Sequence, residues 1–389
     1  MSEEKLVPKL RFSGFDDEWI IKKLNDVSDV NPKTRELPEK FVYIDLDSVN
    51  HGILTKFNQI TKNEAPSRAQ RCLNVNDILF QTVRPYQMNN LFFELYDGEY
   101  VASTGYAQIK SKIVPKFLYY YLHYNKFVNE VLNRCTGTSY PAINSNDLKK
   151  IKIKIPSSSN EQRLIGDLFY KLDQKIELLK DKYNYYQDFK KFLMQQIFTQ
   201  KLRFNFTDDW NYMNFSEIFK SVSTKKYQIK SADILDKGDF EVIDQGQDEI
   251  AGYFNDKTKL CQELPIIIYG DHTTFVKFRD KPFIVGADGV KLLIPKFNAN
   301  PKYLFYALEH FNIKPEGYKR HFSIIKKIKL PIPTLEEQNE ISEIFTYIDI
   351  KLKYTKIQLQ ETEEFKKGLL QQMFVVQLIL SLLQNKKHI

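Results

Sequence analysis

Asp271 and His272 stand side by side in Gly270-Asp271-His272-Thr273-Thr274, and an adjacent carboxylate and imidazole is the smallest constellation in this chain able to move a proton. Asp288 with Lys291 has the residue types of a metal-dependent nuclease. Neither has the surroundings such chemistry needs. The sequence holds no G-x-S-x-G elbow, no H-E-x-x-H zinc helix, no Walker loop and no G-x-G-x-x-G. It also lacks the Asn/Asp-Pro-Pro-Tyr/Phe tetrapeptide of amino-methyltransferases. An Asp-His pair in a turn is then more simply scaffold or ligand contact than a catalytic dyad.

A second chemistry, the reading of a polyanion, is offered by the polar loops. In the first half these bring Arg68, Gln70 and Arg71, then Arg84, Tyr86 and Gln87, then Ser103, Thr104 and Tyr106, and finally Thr138, Ser139 and Tyr140. Arginine and glutamine make two-pronged contacts to guanine and adenine edges, and hydroxyls beside glycine meet phosphates. The second half offers the same mixture in Asp271, His272, Thr273, Thr274, Lys277, Lys291, Tyr318, Arg320 and His321. Taken singly, each is more simply a solvated loop residue or an anchor.

Such loops need a rigid frame. In the first half, Phe41–Leu46, Asp77–Thr82, Leu91–Leu95 and Tyr106–Ile113 have strand composition, and apolar residues at helical spacing predict a helix over Pro115–Arg134. Ile151–Ile155 alternates isoleucine with lysine, as a half-exposed strand does. In the second half the strands are Leu264–Tyr269, Phe275–Phe278, Pro282–Val285, Val290–Ile294 and Ile324–Leu330, with a helix over Pro301–Phe311. The pattern is α+β in both halves.

The strongest signal is a repeat. Glu161–Phe198 set against Glu337–Phe374 without a gap gives 14 identities in 38 positions. Ile165, Leu172, Leu179, Tyr186 and Leu193 recur every seven residues, with Phe169, Ile176, Tyr183 and Ile197 at the companion position. The second copy keeps this frame in Ile341 and Ile348, in Phe345, Leu352 and Leu359, and in Leu369 and Met373. Thr355 and Thr362 replace two apolar residues, and Lys190 and Lys366 interrupt the seam at equivalent places. Such a seam wants a partner helix, and one copy of each per chain predicts pairing within one molecule. The threonines are expected to leave a softer patch for a partner. Leaders repeat too: Leu10-Arg11-Phe12 with Asp16-Asp17-Glu18-Trp19, and Leu202-Arg203-Phe204 with Asp208-Asp209-Trp210.

Composition sets loose bounds. A chain of 389 residues with 42% hydrophobic and 14% aromatic content has enough apolar surface for two cores. Its net charge of +8 lacks a basic block, so it permits nucleic-acid binding without demonstrating it. Cys72, Cys135 and Cys261 form no C-x-x-C pair, which fits a reducing cytoplasm and neither a disulfide framework nor a zinc knuckle. No signal pattern opens the chain, and no apolar run reaches the roughly 18 residues of a spanning helix. Val375–Leu383 is expected to extend the second helix, dock on a partner or be incidental.

Taken in order, the motifs resemble the specificity (S) subunits of type I restriction-modification enzymes over nearly the whole chain. They are P-K-L-R-F…D-D-E-W at Pro8–Trp19, A-P-S-R-A-Q-R at Ala65–Arg71, D-I-L-F-Q-T-V-R-P-Y at Asp77–Tyr86 and A-S-T-G-Y at Ala102–Tyr106. G-T-S-Y-P-A-I-N at Gly137–Asn144 and I-P…E-Q at Ile155–Gln162 follow, then Y-G-D-H-T at Tyr269–Thr273 and G-A-D-G-V-K at Gly286–Lys291. G-Y-K-R-H-F-S at Gly317–Ser323 and P-I-P-T-L-E-E-Q at Pro331–Gln338 complete the set.

The resemblance implies an α+β fold of two target recognition domains with mixed, twisted sheets, separated by two long antiparallel coiled-coil helices in a pseudo-twofold repeat. The domains are residues 1–150 and 199–324, the helix segments 151–198 and 325–374, and the tail 375–389. It implies a non-catalytic, cytoplasmic protein whose partners are double-stranded DNA, two modification subunits and restriction subunits, with no membrane. Each domain would read one half of an asymmetric, interrupted site. S-adenosylmethionine, ATP and Mg2+ would belong to the partners, with no cofactor in this chain. A 38-residue helix at about 1.5 Å per residue is roughly 57 Å long, against about 34 Å for one duplex turn. Whole turns inserted or deleted after Lys190 are thus expected to change the spacer alone. The alternatives are a fusion enzyme with an undetected nuclease or methyltransferase site, and a coiled-coil scaffold without DNA specificity. One departure is the Ser157-Ser158-Ser159-Asn160 lead into the first helix, where an apolar, proline-rich lead is expected and its absence predicts a looser junction.

Overall fold

In a computed structural model of the chain the described residues are 4–380, with 287 and 318 left out. They form two units, Met1–Lys180 with Gln358–Ile389 and Asp181–Ile357. Both long helices are shared out between the units. The first helix, Ser159–Phe198, gives its N-terminal part to the first unit, and the second, Leu335–Met373, gives its C-terminal part. The second unit takes the complementary parts.

Each unit therefore contains its own antiparallel stretch of the seam. In the first, Ile165 and Phe169 are buried with Met373 and Phe374, and Leu172 and Leu369 pack at the edge. In the second, Met194, Ile197 and Phe198 are buried with Ile341, Phe345 and Ile348, flanked by Leu193 and Leu352. Phe169 stacks on Phe374 with centroids 5.7 Å apart, and Phe345 on Phe198 at 6.3 Å. These are the same contact made twice, 176 residues apart. Ile176 and Leu179 are buried too, while Tyr183, Tyr186 and Leu359 are half-buried.

The two threonines correct an expectation. Thr355 and Thr362 are buried, not an open patch, and their hydroxyls donate to the carbonyls of Lys351 at 2.8 Å and Gln358 at 2.6 Å. Bonding back to the preceding turn lets a hydroxyl sit in an apolar seam without an unmatched donor.

The repeated E-Q pair anchors each unit to its helix. Arg11 donates two hydrogen bonds to the buried Glu161 carboxylate, at 2.7 and 2.8 Å, and the Trp19 indole N–H adds a third at 3.3 Å. Arg203 and Trp210 do the same to Glu337, at 3.0, 2.8 and 2.9 Å. Gln162 accepts from the Val114 N–H and donates to the Pro156 carbonyl, as Gln338 does with Asn300 and Pro333. This explains the L-R-F…W leaders: they are clamps. The serine-rich lead is no looser, because Ser158 Oγ accepts from the Glu161 N–H as Thr334 Oγ1 does from Glu337.

The frame of each unit has three layers: helix, sheet, sheet. In the second unit the order is Phe219–Val222, Val290–Pro295, Ile266–Gly270, Val276–Arg279, all antiparallel. Ile266–Gly270 is buried along its whole length. Ile267 and Tyr269 face Tyr303, Leu304 and Leu308 of the helix Pro301–His310, while Ile266 and Ile268 face Phe283 and Val285 of the other sheet. A strand covered on both faces reads as a continuous apolar run. The first unit repeats the plan with Leu91–Phe92, Ile78–Gln81, Tyr106–Ser111 and Ser28–Val30. Its second sheet, Asn58–Thr61, Lys40–Ile44, Tyr100–Ser103, Ala69–Cys72, has a parallel pair at its centre.

Three expected elements differ. The helix over Pro115–Arg134 is two, Pro115–Tyr121 and Asn125–Leu132. The break lets Tyr121 and Tyr124 turn onto Phe374, at 5.3 and 6.0 Å. The expected strand Ile324–Leu330 begins with a helical turn, Phe322–Ile325, and becomes a strand only at Lys329–Ile332. Asp271 holds that turn by accepting from the Phe322 N–H at 2.8 Å. The second helix ends at Met373, and Val376–Leu380 pairs antiparallel with Glu4–Pro8 rather than extending it. Residues 381–383 of the expected tail lie outside the described residues.

Candidate nucleic-acid interface

Four first-half motifs far apart in sequence are zipped together by backbone hydrogen bonds. The Arg68 carbonyl accepts from Thr104 N–H at 2.9 Å, and the Gly105 carbonyl from Thr82 N–H at 3.0 Å and its hydroxyl at 2.8 Å. The Thr82 carbonyl accepts from Ile143 N–H at 3.0 Å, and the Pro141 carbonyl from Arg84 N–H at 2.7 Å. Arg68, Gln70, Tyr86, Gln87, Thr138, Ser139 and Tyr140 are exposed on this cluster, and Arg71, Arg84 and Thr104 half-buried.

Two of the sequence candidates have another task. Ser103 and Tyr106 are buried, and the Ser103 hydroxyl accepts from Gly105 N–H at 3.2 Å. They shape the turn and present nothing to a duplex. Gln70 folds back onto the Ser67 carbonyl at 2.7 Å.

Arg84 is held in place before any ligand arrives. Its backbone is left-handed, with φ +54°, and its guanidinium lies 5.2 Å over the Tyr140 ring. Its Nε is buried without a partner, as is that of Arg71, whose pKa burial pushes down. A side chain in a costly backbone conformation with an unmatched donor points to a ligand. The buried Gln81 organises this loop: its amide donates to the Val83 carbonyl and to Gln87 Oε1, both at 2.8 Å, and its oxygen accepts from Asn89 N–H at 3.1 Å. A polar cavity of about 430 Å³ adjoins it, lined by Asn50, Thr55, Lys56, Arg84, Gln87 and Asn89 among others. Sequence reasoning missed Gln81, Asn50 and Lys56. The first sits in an apolar strand run, and the others in a segment whose fold-back onto Arg84 has no local signature.

The second unit builds the same frame from different side chains. Asp271 N–H donates to the Gly289 carbonyl at 2.7 Å, as Thr82 does to Gly105. His321 N–H donates to the Asp271 carbonyl at 2.7 Å, as Ile143 does to Thr82. Gln245, also missed, ties the loops: Oε1 accepts from His272 N–H and Nε2 donates to the Asp288 carbonyl, each at 3.1 Å. Its signal was the polar Asp244-Gln245-Gly246-Gln247 run at a strand end. A side chain at Gly289, where φ is +86°, would strike the Gln245 amide.

Several second-half candidates are frame rather than surface. Asp271 is buried, with its carboxylate on Phe322 N–H and 3.6 Å from Lys291, so it does not serve a catalytic pair with His272. Lys291 thus faces Asp271, and Asp288 takes the Gln228 amide at 2.7 Å. Buried His321 accepts from Glu316 N–H at 3.0 Å. Buried Lys277 donates to the Asp244 and Asp248 carbonyls, and burial lowers its pKa. Thr273 bonds the Gln245 carbonyl, and buried Thr274 accepts from Asn312 at 2.6 Å. Arg320 is exposed, His272 is half-buried, and Tyr318 lies outside the described residues.

Among the described residues no group of three or more His, Cys, Asp or Glu is placed to hold a metal, and no helix is long and apolar enough to cross a membrane. Cys72, Cys135 and Cys261 are free thiols.

A duplicated unit that keeps its loop frame and changes the side chains on it is the architecture of a two-headed recognition protein. The family model for the type I restriction modification DNA specificity domain matches residues 16–185 and 207–364, and the chain belongs to that family. Specificity subunits of these systems are non-catalytic. A putative MjaX specificity subunit of Methanocaldococcus jannaschii is 23% identical, with 95% of each chain covered. The HindI specificity subunit of Haemophilus influenzae is 27% identical over 121 residues, 30% of this chain and about a quarter of that relative. The S subunit from M. genitalium has a similar fold, with a TM-score of 0.69 at 19% identity over 95% of this chain and 99% of that one. A chain from a structure of type I R-M complex assembly gives 0.52 at 20% identity, covering 93% and 98%.

Proposed function

We propose that the two units read the two halves of an asymmetric, interrupted DNA site, and that the paired helices fix the spacer between them. The observation that carries this is the shared loop frame: Thr82, Gly105 and Ile143 are matched by Asp271, Gly289 and His321 while the exposed residues around them differ. Equal frames with unlike surfaces suit two readers of two different sequences. Modification subunits that bind S-adenosylmethionine, and restriction subunits that use ATP and Mg2+, are the partners this reading requires, and the cytoplasm is the compartment.

The test is an insertion matched in both helices. Lys190 already contacts Glu309 of its own unit, at 3.1 Å, so the junction after it is a poor place to lengthen the helix. Seven residues inserted after Lys182 and after Gln358 would keep the heptad frame and add about 10 Å to each helix. Methylated-site sequencing is expected to show both half-sites kept and a spacer about 3 base pairs longer. Altered half-sites with an unchanged spacer would refute the spacer role.

A further inference from the structure

A basic groove lies in the first unit. It encloses about 430 Å³, with Lys126, Arg134, Lys150, Lys152 and Lys154 on its rims and Glu130 as its one lining carboxylate. Tyr121, Tyr124, Phe127 and Phe374 form its floor. The two rims come from one local feature. Lys126 and Arg134 belong to the segment that leads into the exposed loop Gly137–Tyr140, and Lys150, Lys152 and Lys154 to the segment that leads out of it.

The cations are crowded. Lys152 and Lys154 point outward from a strand whose alternate residues, Ile153 and Ile155, are buried. Glu130 pairs with Arg134 at 2.7 Å and Asp147 with Lys150 at 3.4 Å, while Lys126 and Lys152 are exposed. Burial, and then the nearby Lys126, hold the Lys154 pKa below its usual value. Like charges drawn together cost free energy that a polyanion would offset. By the register of the matching strand pairs, Lys329 of the second unit stands where Lys152 does and Pro331 where Lys154 does.

We propose that this groove takes the phosphate backbone of the duplex beside the half-site that the first unit contacts through Gly137–Tyr140. This rests on the DNA-reading function above. A backbone contact positions the protein without carrying sequence information, so its loss weakens binding to all sequences alike.

The experiment uses the full chain in complex with its modification subunits. Binding to a short random-sequence duplex is measured over a series of salt concentrations for wild type and for Lys126→Gln/Lys152→Gln/Lys154→Gln. Each lost phosphate contact is expected to reduce the slope of log K against log salt by about 1, so the variant should be shallower by about 2 to 3. Its methylated sites should be unchanged. Lys126→Gln/Lys152→Gln changes only exposed side chains and should give a reduction of about 1 to 2. A wild-type slope in both variants overturns the proposal. So does a wild-type slope with loss of the modification subunits, which would make the groove a seat for an acidic protein surface. Failure of the wild-type complex to bind duplex at all would instead overturn the DNA-reading function.

Discussion

Lys366 pairs across the helix seam with Asp173, and Lys190 pairs with Asp349 at 2.9 Å. The two pairs are one contact made twice, since 366 and 190, like 349 and 173, differ by 176. Each aspartate also accepts a tyrosine hydroxyl from its own unit, Tyr120 at 2.7 Å and Tyr306 at 2.8 Å. The lysines that break the apolar repeat thus set its register. A slip by one turn would leave both cations without their carboxylates.

Reversing one charge should show this. Asp173→Lys places two ammonium groups together and is expected to cost about 1–3 kcal/mol, between the values for exposed and buried pairs because both side chains are partly exposed. Adding Lys366→Asp should restore much of the loss. Urea unfolding of the four proteins of the cycle measures the coupling, and additive losses would remove the register role.

Acid should loosen the first unit through His123. Its Nδ1 lies 2.9 Å from the Tyr119 carbonyl and its Nε2 3.3 Å from the Asn90 amide nitrogen, which suits a neutral ring donating from Nδ1. Burial pushes its pKa down from 6.5 to about 4. The unfolded chain then binds the extra proton first, so this stability is present above about pH 6.5 and is lost as pH falls towards 4. The loss should reach at most about 3 kcal/mol. Thermal melts from pH 7 to 4.5 should fall more steeply for wild type than for His123→Gln, and equal slopes would clear His123 of the effect.

Arg84 should govern one base pair. With Arg84→Ala, discrimination at one position of one half-site is expected to fall by about 1–3 kcal/mol, the other half-site being untouched. Tyr140→Ala should cause a smaller loss in the same place, because it frees the guanidinium without removing it. Binding to a duplex library randomised at the target measures both. Uniform weakening across the library would make Arg84 a phosphate contact.

The framework was legible wherever a pattern repeated. The heptads of Ile165 and Leu172 and of Ile341 and Phe345 announced the paired helices, and apolar runs such as Ile266–Tyr269 announced central strands. The candidate site was legible as loops and not as side chains. Lys277, Asp271 and His321 have the composition of a binding surface, yet they are buried with partners up to 51 residues away, and no local rule reveals such pairing. The helix break at His123 was hidden for the same reason, because the Phe374 ring that rewards it comes from the other end of the chain. Gln81 and Gln245 were missed because one amide linking several loops has no spacing signature.

If each unit reads its own half-site, exchange of one reader should change that half-site alone. The second recognition domain, residues 199–324, is replaced by that of a family relative, and methylated sites are sequenced with the chain's own modification subunits. One half-site should change to the donor's, with the other half-site and the spacer retained. Simultaneous change of both half-sites, or of neither, would show that the two units do not read separate half-sites.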